Sequence, residues 1–75
     1  MKELPDWERR VQTMLKVEMA KHNLTYKQLS EKLAELGVVE SEPNIRNKLS
    51  RGTFSAVFLV QCLTAIGAKT LDIGG

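Results

Sequence analysis

The stretch from Leu24 to Gly52, LTYKQLSEKLAELGVVESEPNIRNKLSRG, constrains the fold more than any other part of the chain. Its helix starts and stops are written in particular side chains rather than in average propensity. Thr25 and Gln28 have capping-box spacing, which lets two side chains satisfy backbone N–H groups that a helix start leaves unpaired. Leu29, Leu33 and Leu36 then fall on one helical face, and Gly37 stops the run. A turn follows from Val38 to Glu40. Ser41 and Pro43 open a second short helix that turns Ile45 and Leu49 inward, and Gly52 ends it.

Size limits what this stretch can lean on. The chain has 75 residues, enough for one domain. A domain this small buries only about 60% of its unfolded surface, so its stability alone is modest and pairing would help it. With 43% hydrophobic and 27% charged residues it reads as a folded, soluble domain rather than a disordered one. One Trp, one Tyr and two Phe leave the core to Leu, Ile, Val and Met. Cys62 is alone, which excludes an internal disulfide and a cysteine-based zinc site and fits a reducing, cytoplasmic compartment. No run approaches the roughly 20 apolar residues of a membrane span, and no secretory apolar segment opens the chain.

Ahead of the central stretch, residues 1–4 are expected to fray, and Pro5 suits a first helical turn. Asp6 and Glu8 stand where the helix dipole favours negative charge. A first helix over about 5–22 carries Trp7, Val11, Met14, Leu15 and Met19 as its buried stripe, with Arg9, Arg10, Gln12, Lys16 and Lys21 on the other side. His22 and Asn23 close it. Asn tolerates the left-handed conformation, and His22 reads as a surface residue complementing the dipole. Helix 2, about 26–36, packs one face only. Tyr26 at its start has two readings, an amphipathic ring covering the core and a phosphate contact beside free N–H groups.

Helix 3, about 42–50, has the informative surface. With Ile45 and Leu49 inward, steps of about 100° put Asn47 opposite them, Pro43, Asn44, Ser50 and Arg51 nearby, and Arg46 and Lys48 on the flanks. The net charge of +2 says little, but residues 43–51 hold three cations and no acid, while Glu35, Glu40 and Glu42 lie just before them. Asn pairs bidentately with adenine and Arg with guanine, so this face has the groups that base edges ask for. Helix, turn and helix in this order make a candidate helix-turn-helix.

Helix 4, about 56–66, starts after a Ser55 or Thr53 cap and stops at Gly67. Phe58, Leu59, Val60, Cys62, Leu63 and Ile66 cover most of its circumference, leaving a weak strip of Gln61 and Thr64 near Val57. Such a helix is buried, by its own domain as the central helix or by a partner. Cys62 then reads as a small buried hydrophobe. From Ala68 the chain alternates, with Leu71 and Ile73 apolar, as a short extended arm or edge strand that ends in a loose Gly74-Gly75.

By Arg51-Gly52 the chain resembles the lambda-repressor/Cro-like (xenobiotic-response-element type) helix-turn-helix family, over about Val11 to Ile73. Gln28-Leu29-Ser30 is similar to that family's leucine followed by Ala or Ser. Leu49-Ser50-Arg51-Gly52 is similar to the end of its recognition helix, and Ile66-Gly67 to the end of its packing helix. More narrowly, KLSRGTF followed by an apolar helix is similar to a small bacterial family of uncharacterised domains with this fold. Leu29 to Gly52 is several residues longer than the usual repressor spacing, and the inward pair in helix 3 is spaced four apart where three is commoner.

The resemblance implies an all-α, four-helix domain with a short C-terminal arm, acting as a bacterial, sequence-specific regulator on double-stranded DNA. Helix 3 would lie in the major groove with Asn44, Arg46 and Asn47 toward base edges. Lys48, Arg51, Thr53 and Ser55 would hold phosphates, joined by Thr25, Tyr26 and Lys27 at the start of helix 2. A homodimer through Val57, Leu71 and Ile73 would bury the surplus apolar surface, unless helix 1 wraps helix 4 and leaves a monomer. The competing expectation is a helical adaptor or antitoxin-like module that binds protein. Glu40 and Glu42 favour it by repelling phosphate, unless they accept from cytosine amino groups. An enzyme is not expected, because there is one His, no Gly-rich phosphate loop and no HExxH. Neither a metal, a cofactor, a membrane nor a small-molecule substrate is called for.

Overall fold

Among the described residues, three helix starts and all four helix ends fall where a side chain or a left-handed residue settles unpaired backbone groups. In the computed structural model, which describes residues 6–73, the helices are α1 (Asp6–Lys21), α2 (Tyr26–Glu35), α3 (Glu42–Arg51) and α4 (Ala56–Ile66). The expectations for residues 1–5, for the Asp6 side chain and for Gly74 and Gly75 lie outside the described residues. Thr25 caps α2 reciprocally: its hydroxyl accepts from the Gln28 N–H at 3.1 Å, and its own N–H donates to Gln28 Oε1 at 2.9 Å. Ser41 accepts from the Asn44 N–H at 3.2 Å, and Ser55 accepts from the Phe58 N–H at 3.0 Å. No strand occurs among the described residues, so the fold is all-α and the arm after Ala68 is irregular rather than an edge strand.

Three of the four helices close with the same device. Asn23, Gly37 and Gly67 have positive φ, and the next N–H reaches back to a carbonyl of the last turn: Leu24 to Met19, Val38 to Leu33 and Ala68 to Leu63, each at 2.9 Å. In each case the residue just past the helix packs against the core, the apolar contact that accompanies this motif. The caps therefore also aim the connecting segments inward.

α1 and α2 each pack against both α3 and α4. Leu15 and Met19 from α1, Leu29 and Leu33 from α2, Ile45 and Leu49 from α3, and Phe58, Cys62 and Ile66 from α4 form one core. Truncating any of the fully buried leucines to Ala would cost about 2–5 kcal/mol. The lone cysteine is inside this core, as a small hydrophobe.

Four details differ from the sequence reading. Trp7 is 72% exposed, because it lies on α1 well to one side of the Leu15–Met19 direction, and Arg10 stacks over its ring at 5.1 Å. Leu36 is the C-cap of α2, where helical spacing no longer governs direction, and it is exposed. α4 is not central: it buries Phe58, Cys62 and Ile66, while Val57 and Val60 are 66% and 60% exposed. Gln12, placed outward by its polarity, turns to α3 and donates from Nε2 to the Leu49 carbonyl at 2.7 Å and the Ser50 carbonyl at 3.1 Å. It pairs the Ser50 carbonyl and adds a second donor to the Leu49 carbonyl, which the Gly52 N–H also reaches at 3.2 Å.

The same face of α1 comes close to the end of α3. Gly52 ends α3 at φ +68°, and a Cβ there would lie 2.4 Å from the Glu8 carbonyl oxygen. Glu8 and Gln12, one turn apart, therefore seat α1 on the end of α3. That seat holds α3 from behind and leaves its other side open.

Candidate functional site

The open side of α3 is the candidate site. Pro43, Asn44, Asn47, Ser50 and Arg51 are all exposed, as the helical spacing requires once Ile45 and Leu49 are buried. The side chains of Asn44, Asn47 and Arg51 make no hydrogen bond or ion pair among the described residues. Two amides and a guanidinium thus face solvent on one helix without any packing duty.

The flanking cations are held differently. Arg46 donates from Nη2 to Glu42 Oε2 at 2.7 Å, and its guanidinium stands 5.4 Å from the centre of the Tyr26 ring. Lys48 reaches Glu40 Oε2 at 2.5 Å and lies 4.5 Å from the centre of the Phe58 ring. Both cations lean back, Arg46 toward the start of α2 and Lys48 toward α4. The two pairs are not equally firm. Arg46–Glu42 is an exposed i,i+4 pair of the kind worth only about 0.3–0.5 kcal/mol, so another acceptor can replace Glu42. Lys48–Glu40 is more sheltered, and the Ser30 hydroxyl, donating to the Glu40 carbonyl at 2.5 Å, anchors the turn that carries it.

The remaining residues expected at phosphates divide as well. Lys27 is exposed in the first turn of α2 with no partner among the described residues, and Thr53 is exposed in the turn before α4. The Thr25 and Ser55 oxygens already accept backbone N–H groups as caps. Tyr26 is half-buried against the core, so its ring does cover apolar surface. It shares a groove with Thr25, Glu42 and Arg46, which makes the start of α2 and the leading half of α3 neighbours. Val57 and Ile73 are exposed and Leu71 is half-buried, with the arm tied to α1 where Arg10 Nη2 donates to the Ile73 carbonyl at 3.1 Å.

Residues 7–71 match a family model described as Domain of unknown function (DUF6471). The chain belongs to that family. The DUF6471 match runs from the second residue of α1 through Leu71, so it takes in the whole α3 face and every capping residue named above. Neither the curated proteins nor the solved structures contain a match to the chain.

Two further features of this DUF6471 domain bear on its chemistry. Burial, reinforced by the nearby Glu40 carboxylate and offset in part by Lys48, pushes the Cys62 thiol from 9.0 up to about 12. A thiol held protonated inside the core is a poor nucleophile. Sequence reasoning named Glu40 and Glu42 but missed the ion pairs through which they set the character of the α3 face. The Glu42–Arg46 pair was detectable from its i,i+4 spacing. The Glu40–Lys48 pair crosses the turn and has no such signal. Glu18, on the flank of the α1 stripe, is buried with its carboxylate on Lys21 Nζ at 3.2 Å.

Proposed function

We propose that this domain is a bacterial, cytoplasmic DNA-binding module of the lambda-repressor/Cro-like type, with α2 and α3 as its helix-turn-helix and α3 entering the major groove. The observation that carries the reading is the open α3 face, where Asn44, Asn47 and Arg51 stand exposed and unpartnered among the described residues, with the leading half of α3 beside the start of α2. Asn and Arg are the side chains that pair bidentately with adenine and guanine edges. Arg46, held only by an exposed pair, is able to exchange Glu42 for a base or a phosphate oxygen. Lys27, Arg51 and Thr53 supply backbone contacts. The exposed Val57 and Ile73, with half-buried Leu71, support a homodimer that presents two α3 helices about 34–36 Å apart on a two-fold site.

One observation favours a second reading, in which the same face binds protein. Glu40 and Glu42 neutralise two of the three cations of α3, leaving a face that is mostly amide and hydroxyl. Selection from a random DNA library separates the two. Convergence on a short, two-fold site supports DNA reading. Failure to enrich any sequence at low salt, where phosphate attraction is strongest, removes it and leaves the protein-binding reading.

A further inference from the structure

Beside the α3 face, and sharing Arg46 with it, a groove of about 350 Å³ runs between α1 and the starts of α2 and α3. Its apolar part comes from Met19, Ala20, Leu24 and Tyr26, and its polar rim from Lys16, Thr25, Glu42 and Arg46. The size falls in the range of about 300–1,000 Å³ typical of small-molecule sites, as does the pattern of an apolar surface with a few polar groups. The charges at the rim are not balanced. Glu42 is already engaged by Arg46, and the Lys16 ammonium has no partner among the described residues. Arg46 uses one of its nitrogens on Glu42 and has further N–H donors to offer.

We infer that this groove is a binding site for a small apolar carboxylic acid, its hydrocarbon part on Met19, Ala20, Leu24 and Tyr26 and its carboxylate on Lys16 and Arg46. One unpaired cation next to a partly apolar groove selects a monoanion over a neutral or cationic ligand. Arg is suited to carboxylate by its planar fork of donors. The groove is open, since Lys16, Ala20 and Thr25 are exposed, so a small acid leaves part of its surface wet. Binding is therefore modest. The inference does not depend on DNA binding, and it is read without DNA.

The test is an amide NMR titration of the whole chain with phenylacetate, with phenylacetamide as the uncharged analogue. Saturable shifts centred on Lys16, Met19, Ala20, Leu24 and Tyr26 are expected, with phenylacetamide at least about 3-fold weaker. Lys16→Gln should weaken phenylacetate by the same factor and leave phenylacetamide unchanged. Ala20→Leu should abolish both by filling the groove without changing charge. Lys16 and Ala20 are exposed, so both variants are expected to fold, and their amide spectra report whether they have. Non-saturating or scattered shifts, equal affinity for the amide, or full binding by Ala20→Leu would each overturn the site.

Discussion

Gly52→Ala is the most revealing single substitution in this fold. The position has φ +68°, and a non-glycine residue there costs about 1–2 kcal/mol in backbone strain. Gly37, at φ +82°, carries the same strain, but a Cβ there meets nothing within 4 Å. At Gly52 the new Cβ would lie 2.4 Å from the Glu8 carbonyl oxygen and 2.9 Å from its carbon. That is roughly 1 Å inside ordinary contact, and the obstacle is helix backbone, which cannot rotate away. α1 must lift instead, which adds about 1–3 kcal/mol for overpacking and loosens the Gln12 bonds to Leu49 and Ser50, worth about 1 kcal/mol each. Gly52→Ala should therefore lose about 2–5 kcal/mol, with up to about 2 kcal/mol more if both Gln12 bonds break, and Gly37→Ala only about 1–2. A 75-residue domain has roughly 4–11 kcal/mol in total, so the first is severe and the second mild. Urea unfolding followed by far-ultraviolet circular dichroism resolves the two, because a slope of about 1 kcal/mol per molar separates their midpoints by about 2 M. Equal shifts in the two variants would refute the seating of α1 on α3.

Three further outcomes follow from the geometry. Arg51→Ala should lower the slope of log affinity against log salt by about one unit, whereas Lys48→Ala, which leaves Glu40 unpaired, should show mainly as lost stability in denaturant. The Cys62 thiol is raised in the folded state, so its contribution is complete below about pH 9 and is lost as pH rises toward about 12. Between about pH 8 and pH 10.5 the wild type should lose roughly 2 kcal/mol that Cys62→Ala does not, measured by denaturation at both values, and parallel losses would contradict the burial argument. Sedimentation equilibrium should find a dimer that Val57→Glu or Leu71→Glu dissociates; a wild-type monomer at high micromolar concentration excludes the proposed pairing.

The parts of this fold that sequence could reveal are those decided within one turn of chain. Thr25 with Gln28, Ser41, Ser55, Asn23, Gly37, Gly52 and Gly67 mark helix ends because capping is local chemistry, and each does so in the structure. The inward pairs Leu29–Leu33 and Ile45–Leu49 were equally readable from spacing. On α1, burial was readable for Leu15 and Met19 but not toward the helix start. Trp7 and Gln12 exchange their expected sides because the direction of the core seen from α1 is set by α3 and α4, far away in sequence. The α3 face shows the same division. Its outward residues follow from periodicity, but the withdrawal of Lys48 onto Glu40 and Phe58 depends on how the turn and α4 are placed. The groove between α1 and α3 is wholly tertiary and left no trace in any spacing.

The central claim is that the outward face of α3 reads base edges, and Asn47 is where it is most exposed to test. Asn47 points away from Ile45 and Leu49, so removing its amide leaves the core intact. Fluorescence anisotropy on a selected duplex and on a duplex changed at one base pair gives a specificity ratio for wild type and for Asn47→Ala. A bidentate contact predicts that the variant loses about 1–3 kcal/mol on the selected duplex and much less on the altered one, so that the ratio at that position collapses toward one. An equal loss on both duplexes, or none on either, would contradict base reading by this face.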